Sequence, residues 1–233
     1  MPRRRRFDAG GRRAGQRGGE RGRGGGRHLA DHRGEAPAGG PRAGARSGRR
    51  EAVSVRSAPG PGKLVVSAIF REARALDAAL PRLAEALGEI RPAGDPMPFD
   101  RTDYYAEEMG APLSRRFLVA VDPVRRDALA GIKVRLEAIE RELSVGGRRT
   151  VNLDPGLVTP ENFVLATAKN FTHRVYLGEG VFAELTLEYR GGEFRPQPWT
   201  YPDYASNEVR ALLASVRREL LSGRASEGSS TCG

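Results

Sequence analysis

Residues 64–70 read LVVSAIF, a nearly unbroken run of apolar, β-branched-rich side chains of single-strand length, the pattern of a buried central strand. Downstream of it, Leu76, Leu80, Leu83 and Leu87 recur at spacings of four, three and four, a helical stripe that Gly88 is placed to cap. Residues 89–99 carry Pro92, Pro96 and Pro98, so a strand there is irregular or at an edge, and FLVAV at 117–121 is a second buried strand. After Pro123 the clearest helix follows, with Leu129, Ile132, Leu136, Ile139 and Leu143 in register before Gly146-Gly147. RTVNL at 149–153 predicts a strand. The order strand, helix, irregular strand, strand, helix, strand is the split βαβ pattern of a ferredoxin-like sandwich, an α+β fold with two helices on one face of a mainly antiparallel sheet.

Beyond residue 153 the spacing predicts a short helix over 160–168 opening with Pro160, and then a hairpin, HRVYL-GEG-VFAEL, that extends the sheet. Residues 181–189 alternate Val181, Ala183, Leu185, Leu187 and Tyr189 against Phe182, Glu184, Thr186 and Glu188, as a half-buried strand does. Gly191-Gly192 turns the chain again. Ser206 is placed to cap a last helix with the stripe Val209, Leu212, Val216 and Leu220.

The charge of the chain sits outside this pattern. Residues 1–62 hold 16 Arg against five acidic residues, 16 of the 30 glycines and one of the 15 aromatic residues. Such a segment cannot bury enough apolar surface to offset its chain entropy, so an Arg/Gly-rich disordered arm is expected, with a single domain over 63–222 and a disordered tail over 223–233. The remainder, with 23 basic and 24 acidic residues, is about neutral. One cysteine, Cys232, leaves no disulfide framework and no cysteine-rich zinc site. No run approaches the length of a membrane span, and a cytoplasmic protein is the expectation.

Three stretches carry candidate chemistry. FDRTDYYAEEMG at 99–110 places Asp100, Asp103 and Glu107 on one face if it is helical, where three carboxylates suit Mg²⁺ or Mn²⁺ or a general base; otherwise they cap and solvate a short helix. NLDPG at 152–156 reads first as an Asp-Pro-Gly turn, yet Asn152 and Asp154 share one face of an extended strand. TAKNFTHRVYLG at 167–178 offers Lys169, His173 and Arg174, two fixed cations and a titratable ring suited to phosphate or carboxylate. The roles that follow are Asp103 and His173 as catalytic groups, Lys169, Arg174, Tyr104 and Asn152 as ligand contacts, and Asp100, Glu107 and Asp154 as metal ligands. In PWTYPDY (198–204), Trp199, Tyr201 and Tyr204 either cover the sheet or stack on a planar ligand. Gly62-Lys63 has Ser57 where a phosphate loop needs glycine and no Ser or Thr after the lysine, and no G-x-G-x-x-G opens a helix.

PFDRTDYYAEEMG, RTVNLDPG, LATAKNFTHRVYLGEGVFAELTLEYR and PWTYPDY, in this order after KLVVSAIF, resemble the bacterial and archaeal family called domain of unknown function 4416. The resemblance covers roughly residues 63–222. It implies no established activity and no assigned site residues, although some members have been labelled GTP-binding. The leading expectation is a domain that binds a small anionic ligand, a nucleotide among the candidates, with a divalent metal and phosphoryl-type chemistry. The alternatives are an RNA-binding protein working through the arm, or a non-enzymatic structural or interaction domain. An arm that binds RNA gives an affinity that falls steeply with salt, and deleting residues 1–62 should abolish that dependence in a filter-binding titration.

Overall fold

The computed structural model describes residues 56–100 and 105–229, with side chains described as far as Gly223. The Arg/Gly arm up to Val55, together with Asp103, Tyr104 and Cys232, lies outside the described residues. The elements run β1 (Lys63–Phe70), α1 (Ala73–Leu87), β2 (Ile90–Pro98), α2 (Ala106–Met109), β3 (Ser114–Ala120), α3 (Leu129–Glu142), β4 (Val151–Val158), β5 (Asn162–Thr167), β6 (Arg174–Gly178), β7 (Val181–Arg190), β8 (Glu193–Pro196) and α4 (Asn207–Ser229). The eight strands form one antiparallel sheet in the order β2-β3-β1-β4-β5-β7-β6, with β8 also paired to β7. The fold is α+β.

Strand β1 is buried along its whole length because both of its faces are covered. Leu64, Val66, Ala68 and Phe70 meet Leu76 and Leu83 of α1 and Ile132 and Leu136 of α3. On the opposite face Val65 packs with Val209, Leu213 and Val216 of α4, and Ile69 with Phe99, Met109 and Leu113. A continuous apolar run is what double coverage requires, and each side chain so buried contributes about 1.5–3 kcal/mol. Helix α4 starts where Ser206 Oγ accepts the Val209 N–H at 3.2 Å. It buries Leu213, whereas Leu212 is half-buried, and it continues to Ser229 into the stretch expected to be a tail.

Three expectations are corrected. The segment 160–168 holds strand β5 rather than a helix: Phe163 and Leu165 face α4 while Val164 and Ala166 face the opposite core, and an apolar run filling both faces cannot be told from a short helix by periodicity. Asp154-Pro155-Gly156 is no turn but lies inside β4, opposite Ser67, Val66 and Val65 of β1. The alternation in β7 is also inverted in its middle. Glu184 is 1% exposed and Leu185 36%, because the pairing with β5 slips by one residue between Phe163 and Val164, and a one-residue slip exchanges the faces.

Gly156 is required for space, not for a turn. A Cβ there would lie 2.6 Å from the ring of Phe163. Gly156→Ala should therefore cost about 1–3 kcal/mol by overpacking. Gly131, inside α3 with nothing within 4 Å of an added Cβ, should instead gain about 0.5–1 kcal/mol as Gly131→Ala. Urea unfolding of the two variants checks both signs.

Candidate functional site

Strands β4 and β5 pair only through Gly156, Leu157 and Val158. Past that point they diverge, and the free edge of β4 meets side chains of α3 instead of a strand. The Leu153 N–H donates to Glu140 Oε1, and the Leu153 carbonyl accepts from Lys133 Nζ at 3.2 Å. Residues two apart share an edge of a strand, so Pro155, which has no N–H to donate, also lies on this unpaired side. Lys133, Glu137 and Glu140, at spacings of four and three, form a polar stripe beside the apolar one of α3.

The divergence opens a cavity of about 530 Å³, lined by α3, β4, the end of β5, Arg115 of β3, Glu184 of β7 and the segment 201–204. A chain of polar contacts runs along one wall. Glu137 Oε1 lies 3.6 Å from Lys133 Nζ, which reaches Asp154 Oδ1 at 3.0 Å; Asn152 Nδ2 donates to Asp154 Oδ2 at 2.7 Å; Arg149 donates to Asn152 Oδ1 at 2.8 Å and, through Nε, to Glu108 Oε1 at 2.9 Å. Burial pulls the Lys133 pKa down, but Asp154, Glu140 and Glu137 outweigh it and leave it raised. Burial likewise raises the pKa of Glu140 against the pull of Lys133 and the Leu153 N–H.

Across the cavity Arg115 pairs with Asp203, and its guanidinium lies over Phe99 at 4.5 Å and Tyr204 at 4.9 Å. Its side chain is 6% exposed and its Nε has no hydrogen-bond partner among the described residues. The buried carboxylate of Glu184 holds Arg174 Nε at 2.8 Å and His173 Nε2 at 3.1 Å. The His173 ring stacks on Trp199 at 4.8 Å and 8°, and Trp199 Nε1 donates to the Leu185 carbonyl at 2.8 Å. In PWTYPDY, Tyr204 thus fills the core between Phe117 and Phe163, while Trp199 stacks on a ring of the chain itself.

Of the residues singled out in the sequence, Asn152, Asp154, Lys169 and Arg174 line this cavity, and His173 adjoins it through Glu184. The acidic trio is described only at its two ends. Asp100 is exposed after the end of β2, and Glu107 is exposed on α2, a helix of four residues. Asp103 and Tyr104 lie between them, outside the described residues. Asp154 is bound by Lys133 and Asn152. Among the described residues no group of three His, Cys, Asp or Glu is placed to hold a metal ion, and Mg²⁺ or Mn²⁺ has no described ligand set.

The sequence does not single out Lys133, Glu137, Glu140, Arg115, Arg149, Glu184 or Asp203. The α3 stripe was detectable as a second helical period. Arg115 and Glu184 were not, since their burial depends on partners 88 and 10 residues away.

The model of the family described as domain of unknown function (DUF4416) matches residues 60–220. The chain belongs to that family. The match covers every element from β1 through most of α4, and with them the whole lining of the cavity. No curated protein and no solved structure matches. Among the described residues of this family member, no helix is long and apolar enough to cross a membrane.

Hydrogen bonds from Arg149 hold Glu108 below its ordinary value of 4.5, against the opposing effect of burial. A depressed folded-state pKa contributes stability above the unfolded value and loses it as pH falls through the folded one. Glu108→Gln should melt below the wild type at neutral pH, and the gap should close as pH drops below 4.5. Thermal melts from about pH 7 to about pH 3 measure it.

Proposed function

We propose that the cavity between β4 and β5 binds a small ligand carrying a phosphate or carboxylate. The observation that carries this reading is the lining itself. Six basic side chains, Arg115, Lys133, Arg141, Arg149, Lys169 and Arg174, face five acidic ones, Glu137, Glu140, Asp154, Glu184 and Asp203, with Phe99, Tyr105, Tyr201 and Tyr204 as the apolar and aromatic part. Concave volumes of this order with convergent polar groups are the usual setting of a small-molecule site. Arg115 adds a buried guanidinium with one N–H still unpartnered. In this reading Lys169 and Arg174 contact the anion, Asn152 and Asp154 orient its polar edge, and His173 positions Arg174 through Glu184. Phosphoryl chemistry with Asp103 as a catalytic group, and a nucleotide as the ligand, are finer forms of the same proposal.

The strand order β4-β1-β3-β2, with α1 and α3 packed on one face, supports reading the first half as a ferredoxin-like split βαβ unit. The second half then extends that unit, and the site forms at the junction.

A ligand that binds only the folded state raises the unfolding midpoint. The protein is therefore melted with inorganic phosphate, nucleotides, sugar phosphates and dicarboxylates, each with and without Mg²⁺. The expected outcome is a rise with at least one anion that Lys169→Ala removes while leaving the ligand-free midpoint unchanged. A midpoint that no anion moves would overturn the reading.

A further inference from the structure

Strand β6 ends the sheet, and no strand among the described residues pairs with its outer edge. Its side chains are apolar and exposed on both faces: Val175 is 67% exposed, Tyr176 61% and Leu177 43%, with Phe171 and Leu185 beside them. Val175 lies opposite Ala183 and Tyr176 opposite Phe182 in β7, so these two point to opposite sides of the sheet, and the ladder shifts register at Leu177, between Tyr176 and Gly178. A partner resting on one face would cover half of this surface. A strand added at the edge brings neighbours to both faces at once, and an exposed apolar edge is a template for that pairing.

We infer that β6 pairs with the β6 of a second copy of this chain, antiparallel about a two-fold axis at Tyr176, to form a dimer with a continuous sheet. The sequence of the strand is self-complementary in that register. Tyr176 meets its own mate, and Val175 of each copy meets Leu177 of the other. A register shifted by one residue sets Val175 against Gly178 and loses the apolar match. A two-fold pairing of this kind uses one patch on both copies, so it closes at two.

The area fits a modest dimer. With whole aromatic side chains near 200 Å², the exposed parts of Phe171, Val175, Tyr176, Leu177, Leu185 and Trp199 come to roughly 600 Å² per copy, somewhat under the ~800 Å² of a standard interface. The patch is as large as the largest a monomer ordinarily leaves exposed. This inference stands on the sheet edge alone and is independent of the ligand reading of the cavity.

Sedimentation equilibrium of the full chain over about 1–500 µM tests it. The expected result is a monomer–dimer equilibrium that Val175→Lys shifts to monomer with no change in circular dichroism. Tyr176→Cys in a Cys232→Ser background should form a disulfide-linked dimer on oxidation, since directly opposite residues of an antiparallel pair have Cβ atoms about 4.5–5.5 Å apart. A chain that stays monomeric at the highest concentration would overturn the inference. A dimer that survives both Val175→Lys and Leu177→Lys would overturn it too.

Discussion

A strand that loses its neighbour leaves backbone donors and acceptors that must be satisfied by something else, and in this protein that constraint organises the site. Three residue pairs between β4 and β5 make the sheet continuous. Beyond them, Leu153 presents an N–H and a carbonyl to the interior, and Glu140 and Lys133 of α3 take both. Burying two opposite charges for this purpose is tolerable only because each is paired further, Lys133 with Asp154 and Glu140 with the Arg149 side of the chain. A buried polar group without such a partner would cost about 1–3 kcal/mol. The polar chain from Glu137 to Glu108 follows from one gap in a ladder.

The same gap explains why the wall formed by α3 and β4 is polar. The elements that close the cavity are held by linked contacts to β3 and β7. Asp203 binds Arg115, Trp199 reaches the Leu185 carbonyl, and Glu184 ties His173 and Arg174 to β7. The slip in the β5–β7 pairing matters here, because it turns Glu184 inward and Leu185 outward. One irregular step thus supplies the buried carboxylate that fixes the basic corner of the cavity. It also adds one exposed apolar residue to the edge at β6.

The first half of the fold was legible because its signals are local. The run at 64–70, the stripes of α1 and α3 and the proline-broken β2 each carry one period over one element. The second half was less so. The apolar run of β5 fits a helix as well as a strand because both its faces are apolar, and Asp154-Pro155-Gly156 predicts a turn because its residue types favour one. Neither reading fails on propensity. Pro155 is accommodated in a strand because the strand is unpaired on that side, and Gly156 because Phe163 occupies the space of its side chain.

For the site, the sequence alone determined which polar stretches to watch, and Asn152, Asp154, Lys169 and Arg174 do share one cavity. It could not determine their partners, because a hydrogen bond between residues 20 or more apart leaves no mark on either local pattern. That Lys133 reaches Asp154 and Arg149 reaches Glu108 was decided by how α3 and α2 lie on the sheet. Tertiary structure also decided which charges are buried. The Arg/Gly arm dominates the net charge, whereas burial belongs to a few ions of a neutral domain, and burial is a property of neighbours that composition does not contain.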